Sequence, residues 1–193
     1  MDRHKEGCIN GREGSLIDGL PVLQIIGYKN SGKTTLASKL IAKLTERGLN
    51  VGSAKHDAHE FQLDDDGTDS QKHLDHGAVE TLLTSGTATR IMRRSPTKLE
   101  EIARYMSDRV DIVIAEGFKA APFPKVALIS QPDDMLRLQE QASNIRIWVS
   151  WADPREMDAS LLNSLGDSPA PILYLQDDAS VLNETVNLAL SLL

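Results

Sequence analysis

The stretch "VLQIIGYKNSGKTTLASKLIAKL", Val22 to Leu44, decides the fold. Its opening residues, Val22–Gly27, form an apolar run of strand length bounded by glycine, which predicts a buried β-strand. From Lys33 to Arg47 the period changes. Leu36, Leu40, Ile41 and Leu44 fall on one helical stripe, and Gly48 supplies a stop. Between the two elements, Gly27, Gly32, Lys33 and Thr34 complete the pattern G-x-x-x-x-G-K-[ST]. That pattern has a physical meaning only where a strand enters it and a helix leaves it, and both conditions are met here.

In such a loop the glycines allow a tight turn and bring backbone N–H groups close to phosphate oxygens. The helix start adds unpaired amides and the positive end of its dipole. Gly27, Asn30, Ser31 and Gly32 are therefore candidates for main-chain contact with a polyphosphate. Lys33 would reach the β- and γ-phosphates, Thr34 would offer its hydroxyl to Mg²⁺, and Thr35 would bond a further phosphate oxygen. Lys29 has two readings, a phosphate contact or a solvated side chain.

Beyond this stretch, short apolar runs alternate with helical segments. Strands are expected at Val51–Lys55, Ile112–Ala115, Val126–Ser130, Ile145–Ser150 and Ile172–Leu175, and helices at Thr97–Ser107 and Ala179–Leu193. Ser70–His76 reads as a short helix. Glu80–Thr84 and Ala88–Met92 read as a hairpin turning at Gly86. The segment between Ser130 and Ile145 is charged and carries no assignment. The expected class is α/β: a mostly parallel sheet with helices on both faces and an antiparallel hairpin extension. Residues 1–18 are polar and read as a flexible tail, and residues 19–193 as one nucleotide-binding domain.

Bulk properties narrow the function classes. The chain has 193 residues, enough for one domain, and 40% hydrophobic residues, enough for a core. A net charge of −7 disfavours nucleic acid or an anionic membrane as a main partner. No apolar run spans a bilayer, and Met1–Gly19 lacks the apolar core of a signal peptide. The one cysteine, Cys8, forms no intrachain disulfide, which fits a reducing, cytoplasmic location.

Two further stretches carry chemistry. "AKHDAHEFQLDDDGTDSQKHLDHGA" follows the second strand and holds four of the five histidines. Loops at the carboxyl ends of strands border the ligand crevice of an open α/β sheet, so Asp57 and Asp64 are candidate Mg²⁺ ligands. Two other readings stand: a transition-metal site using His56, His59 and a carboxylate, and a solvated acidic loop. "VDIVIAEGFK" is an apolar strand ending in an acid. Glu116 sits where loops of this kind place a carboxylate facing the metal, whereas Asp111 belongs to the opposite edge of the sheet. Lys33 and Glu116 are the candidate catalytic residues. No N/T-K-x-D guanine-reading stretch and no water-orienting glutamine stand out. Asp153 in "WVSWADP" is a candidate base contact. "RIMRR", Arg90 to Arg94, reads either as a charge donor or as the outward face of a strand.

"GYKNSGKTTL", "KHDAHEF" with Asp64, "GTDSQKHLDHGA" and "EGFKAAPFPKV" together resemble the molybdopterin-guanine dinucleotide biosynthesis protein B family, in order from Val22 to Lys125. The resemblance implies a P-loop NTPase fold, GTP binding with weak hydrolysis, a homodimer, and partnership with the nucleotidyltransferase that joins GMP to molybdopterin. It carries the family's residues to Gly27, Gly32, Lys33 and Thr34; to Lys55, His56, Asp57 and His59; to Asp64, Gly67, Asp69 and Ser70; and to Glu116, Gly117, Lys119 and Lys125. The chain departs from the family at Asp66-Gly67-Thr68, where proline-glycine-lysine is common, and at Leu74-Asp75, where an arginine often follows. The expected function is a GTP-binding adapter in molybdenum cofactor biosynthesis. The alternatives are a small-molecule kinase using "RIMRR" and a non-catalytic module stabilised by nucleotide.

Overall fold

The structure, a computed structural model, describes residues 16, 17, 19–57, 59–157 and 170–193. In chain order the elements are β1 (Leu16–Ile17), β2 (Leu20–Gly27), α1 (Lys33–Glu46), β3 (Val51–Lys55), α2 (Asp69–Asp75), β4 (Glu80–Thr84) and β5 (Thr89–Arg93). These are followed by α3 (Leu99–Met106), β6 (Ile112–Glu116), β7 (Lys125–Ile129), α4 (Pro132–Gln141), β8 (Ile145–Ser150), β9 (Ile172–Tyr174) and α5 (Asp178–Ser191). The described residues pack as two units: those up to His56 with those from Leu99 onward, and the segment Asp57–Lys98.

The larger unit is built on six parallel strands in the order β3-β6-β2-β7-β8-β9. β2 lies between β6 and β7, so it is buried on both faces, as its unbroken apolar run demands. Alternate residues serve opposite faces. Leu23 and Ile25 join Leu36, Leu40 and Leu44 of α1 and Val181, Val186 and Ala189 of α5 in one core. On the other face Val22 packs with Leu99, Ala103 and Phe123, and Ile26 packs with Met135 and Leu138 of α4. Leu16 and Ile17, at the end of the expected tail, pair antiparallel with Pro21 and Leu20. The rest of that tail lies outside the described residues.

Two polar side chains sit wholly buried within this apolar sheet. Gln24, opposite Lys125 in the register, donates its amide to Gly117 O at 3.0 Å and Phe118 O at 2.7 Å. Lys125 opens β7 at a register irregularity against β8 and donates to the carbonyls of Ala121 and Phe123. Both therefore hold the loop that follows β6. Burial pushes the Lys125 ammonium down to about 8.

The unit Asp57–Lys98 contains α2 and the expected hairpin, with Thr84 opposite Thr89 across the Gly86 turn. Asp64 accepts from Arg90 at 2.9 Å, from Thr68 at 3.0 Å and from Ser70, and these bonds hold its carboxyl below the usual range, Ser70 contributing most. Arg93 pairs with Glu80 and Arg94 with Asp75. Of the two readings of "RIMRR", the strand is observed. α4, unassigned from sequence, begins at Pro132 and is capped by Asp134, whose carboxylate accepts from the amides of Ser130 and Gln131.

Two outcomes are expected. Leu40, fully enclosed between α1 and the sheet, should cost about 2–5 kcal/mol on truncation to alanine, measured by urea unfolding. Lys125 is depressed in the folded state relative to 10.5, so between about pH 8 and 10.5 the unfolded chain binds the proton that the folded chain has released. Its contribution to stability should therefore rise with pH across that window, and the wild-type minus Lys125→Met difference in unfolding free energy should carry that slope.

Candidate functional site

The loop between β2 and α1 takes its shape from close packing. A Cβ on Gly27 would lie 2.5 Å from Ser31 Oγ and 2.6 Å from Leu128 O, a backbone atom that cannot swing aside. Gly32 has φ +97° and serves as the N-cap of α1, in the left-handed region that favours glycine. Asn30 is also left-handed, at φ 61°. Gly32 has no side chain with which to accept from the first helical amides, and α1 has no acid in its first turn. By contrast, α2 is capped by Thr68, α4 by Asp134 and α5 by Asp177. A helix start of this kind presents amide donors and a positive dipole end to an anion.

Around it stand the predicted side chains. Lys33 Nζ donates to Tyr28 O at 2.6 Å, curled over the loop. Thr34 Oγ1 lies 3.0 Å from both oxygens of Glu116, which projects from the end of β6. Lys55, at the end of the neighbouring β3, approaches Glu116 at 3.6 Å. Lys119 lies over the Tyr28 ring, 3.8 Å from its centroid, and donates to Gln141 at 3.1 Å. Partial burial lowers the Lys33 ammonium from the ordinary lysine range; Glu116 opposes the shift and Lys55 adds to it. Lys119 is likewise lowered by burial and then by Lys33. Two ammonium groups, those of Lys33 and Lys55, thus share the one Glu116 carboxylate, an excess of positive charge that an anionic ligand relieves.

Ser31 is fully buried, and its Oγ has no hydrogen-bond partner among the described atoms. Thr34 and Glu116 supply hard oxygen donors side by side, the donor set that Mg²⁺ takes. The residues present therefore fit a magnesium–phosphate ligand.

Other expected site residues sit elsewhere. Lys125, one of the residues that the resemblance carries over, is sealed beneath the 121–124 loop. Asp57 accepts from the amide of His59 at 3.0 Å. His56 packs against Phe118, with ring centroids 5.2 Å apart. Among the described residues no three His, Cys, Asp or Glu side chains converge as a metal cluster, so the transition-metal alternative finds no preformed site. Asp111 accepts from the Asn50 amide before β3 begins, at the sheet edge opposite the loop. Asp153 starts a 3₁₀ turn at Pro154–Glu156 and is tied to Arg155, which lowers its carboxyl to about 2.

Sequence reasoning missed Gln24 and Trp151. Gln24 is signalled by its place as the polar residue inside an apolar strand. Trp151 donates its indole N–H to Ser31 O at 3.0 Å, a contact across the sheet end that no local pattern encodes.

Residues 22–151 match the family described as molybdopterin guanine dinucleotide synthesis protein B. The molybdopterin-guanine dinucleotide biosynthesis adapter protein of Haemophilus influenzae is 34% identical over 147 residues, 75% of this chain and 82% of that one. The crystal structure of Bacillus subtilis MobB superposes with a TM-score of 0.69 at 29% identity, covering 90% of this chain and 98% of the other. The hydrogenase maturation factor HypB from Archaeoglobus fulgidus shares the fold, with a TM-score of 0.52 at 14% identity over 92% of this chain and 91% of that one. The chain belongs to the molybdopterin guanine dinucleotide synthesis protein B family.

Proposed function

We propose that this protein is a GTP-binding adapter in the formation of molybdopterin guanine dinucleotide, holding MgGTP on the loop between β2 and α1 and hydrolysing it slowly. One observation carries the reading: Thr34 and Glu116 meet at 3.0 Å beside an uncapped helix start. The amides of Gly27, Asn30, Ser31 and Gly32 would wrap the phosphates, with Thr35 bonding a further oxygen. Lys33 would exchange the Tyr28 carbonyl for a phosphate oxygen. Thr34 and Glu116 would hold Mg²⁺, which neutralises phosphate charge when bound.

Asp57 and Asp64 are further carboxylates that the sequence offers to the ion. Asp64 would first have to leave Arg90, Thr68 and Ser70, so we give it a structural part and keep the ion on Thr34 and Glu116. Without an arginine or glutamine assigned to the attacking water, turnover is expected on the order of 10⁻⁴ per second.

The adapter role, the nucleotidyltransferase partner and the homodimer are proposals drawn from family membership. Val79, Leu82 and Leu83, exposed on and beside β4, are compatible with protein contact. A reducing, cytoplasmic setting is proposed from the same membership; among the described residues no helix is long and apolar enough to cross a membrane. The kinase alternative loses support because Arg90, Arg93 and Arg94 are committed to Asp64, Glu80 and Asp75.

Lys33→Ala should lower affinity for Mg²⁺-GTP at least a hundredfold in a calorimetric titration, and unchanged affinity would refute the site. Gly27→Ala should abolish nucleotide binding and cost about 1–3 kcal/mol of stability, because its Cβ meets the Leu128 carbonyl. Glu116→Gln should leave GTP binding measurable in EDTA but remove the gain that Mg²⁺ gives.

A further inference from the structure

Beside the loop, within the larger unit, lies a cavity of about 240 Å³ that adjoins the phosphate site. Gly32 and Thr35 form one end of it, so it begins where the phosphate loop stops. Leu36, Leu175 and Val181 give it an apolar wall. Trp151 closes one side; its indole N–H is fixed to Ser31 O, and 49% of the residue is exposed, leaving a held aromatic ring in contact with solvent. On the lining, Lys39 and Asp178 form an ion pair at 2.6 Å, a strong donor beside a strong acceptor.

We propose that this cavity is a nucleobase site in which Trp151 stacks on a guanine ring and the Lys39–Asp178 pair reads its polar edge. The inference rests on the loop holding a polyphosphate. A nucleotide whose phosphates lie along the loop then has its nucleoside at the cavity, because Thr35 borders both. A planar heterocycle suits an apolar wall with a fixed indole, since a base presents a π-face for stacking. Guanine offers an acceptor at O6 beside donors at N1 and N2; the ammonium can donate to the first and the carboxylate accept from the others. Adenine's corresponding edge offers that carboxylate one donor group instead of two. The pair thus supplies a guanine preference without the usual linear motif, from residues on α1 and α5 that only the fold brings together.

The test uses the full chain with four probes: GTP, ATP, XTP and inorganic tripolyphosphate. Wild-type protein should bind tripolyphosphate in competition with GTP. Trp151 emission should change with GTP and not with tripolyphosphate, while the buried Trp148 serves as an internal reference. Trp151→Ala should weaken GTP about tenfold or more beyond any effect on tripolyphosphate, with Trp151→Phe restoring most of that difference. Asp178→Asn should weaken GTP about tenfold and improve XTP, whose C2 carbonyl accepts from the new amide. If tripolyphosphate binds but both variants keep wild-type GTP affinity and selectivity, the nucleobase site is overturned and the phosphate site stands. If the wild-type chain binds no tripolyphosphate, the phosphate reading fails and this inference fails with it.

Discussion

The amino end of α1 is the constraint on which the rest depends. Its N-cap is a left-handed glycine, its first turn has no acid, and its Thr34 hydroxyl touches the Glu116 carboxylate from a different strand. A helix built for stability alone would carry serine, threonine or aspartate at that cap, worth about 0.5–2 kcal/mol. This one forgoes the cap, and its packing makes up the difference: Leu36, Leu40 and Leu44 anchor it to a sheet buried on both faces. The uncapped helix start is thus a local weakness set beside a well-packed core.

The same sheet also carries the polar clamps that aim the site. Gln24 and Lys125 are adjacent across β2 and β7, and each reaches for carbonyls of the loop after Glu116. Burying an amide and an ammonium among aliphatic side chains is costly unless they are bonded. Their bonds fix where the backbone runs after β6, and hence where Glu116 leaves the strand. Lys119, on that loop, is in turn brought against Tyr28.

Much of this was legible in the sequence. The strand–loop–helix run, the order of alternating elements, the hairpin and Glu116 were all readable because each depends on residues close together in the chain. α4 was not, because among its described side chains only Met135 and Leu138 are buried and two points make no period; Pro132 with Asp133 and Asp134 in the sequence was the available signal. Nothing local to Lys125 signals its burial, which appears only when the register places it under a loop. The cavity draws on α1, the residue after β8, the residue after β9 and the start of α5, so no single stretch announces it. The separate packing of Asp57–Lys98 was also hidden, since no linker composition marks its ends.

That segment leaves the chain after β3 and returns at α3. A parallel crossover between β3 and β6 needs a dozen or more residues, usually a helix, and α3 with its flanks already meets that need. The sheet therefore does not require the segment for its topology. Lengthening, trimming or exchanging it would change the smaller unit while leaving the parallel pairing of β3 with β6 its register. The architecture thereby leaves the continuity of the sheet independent of what is inserted between β3 and β6.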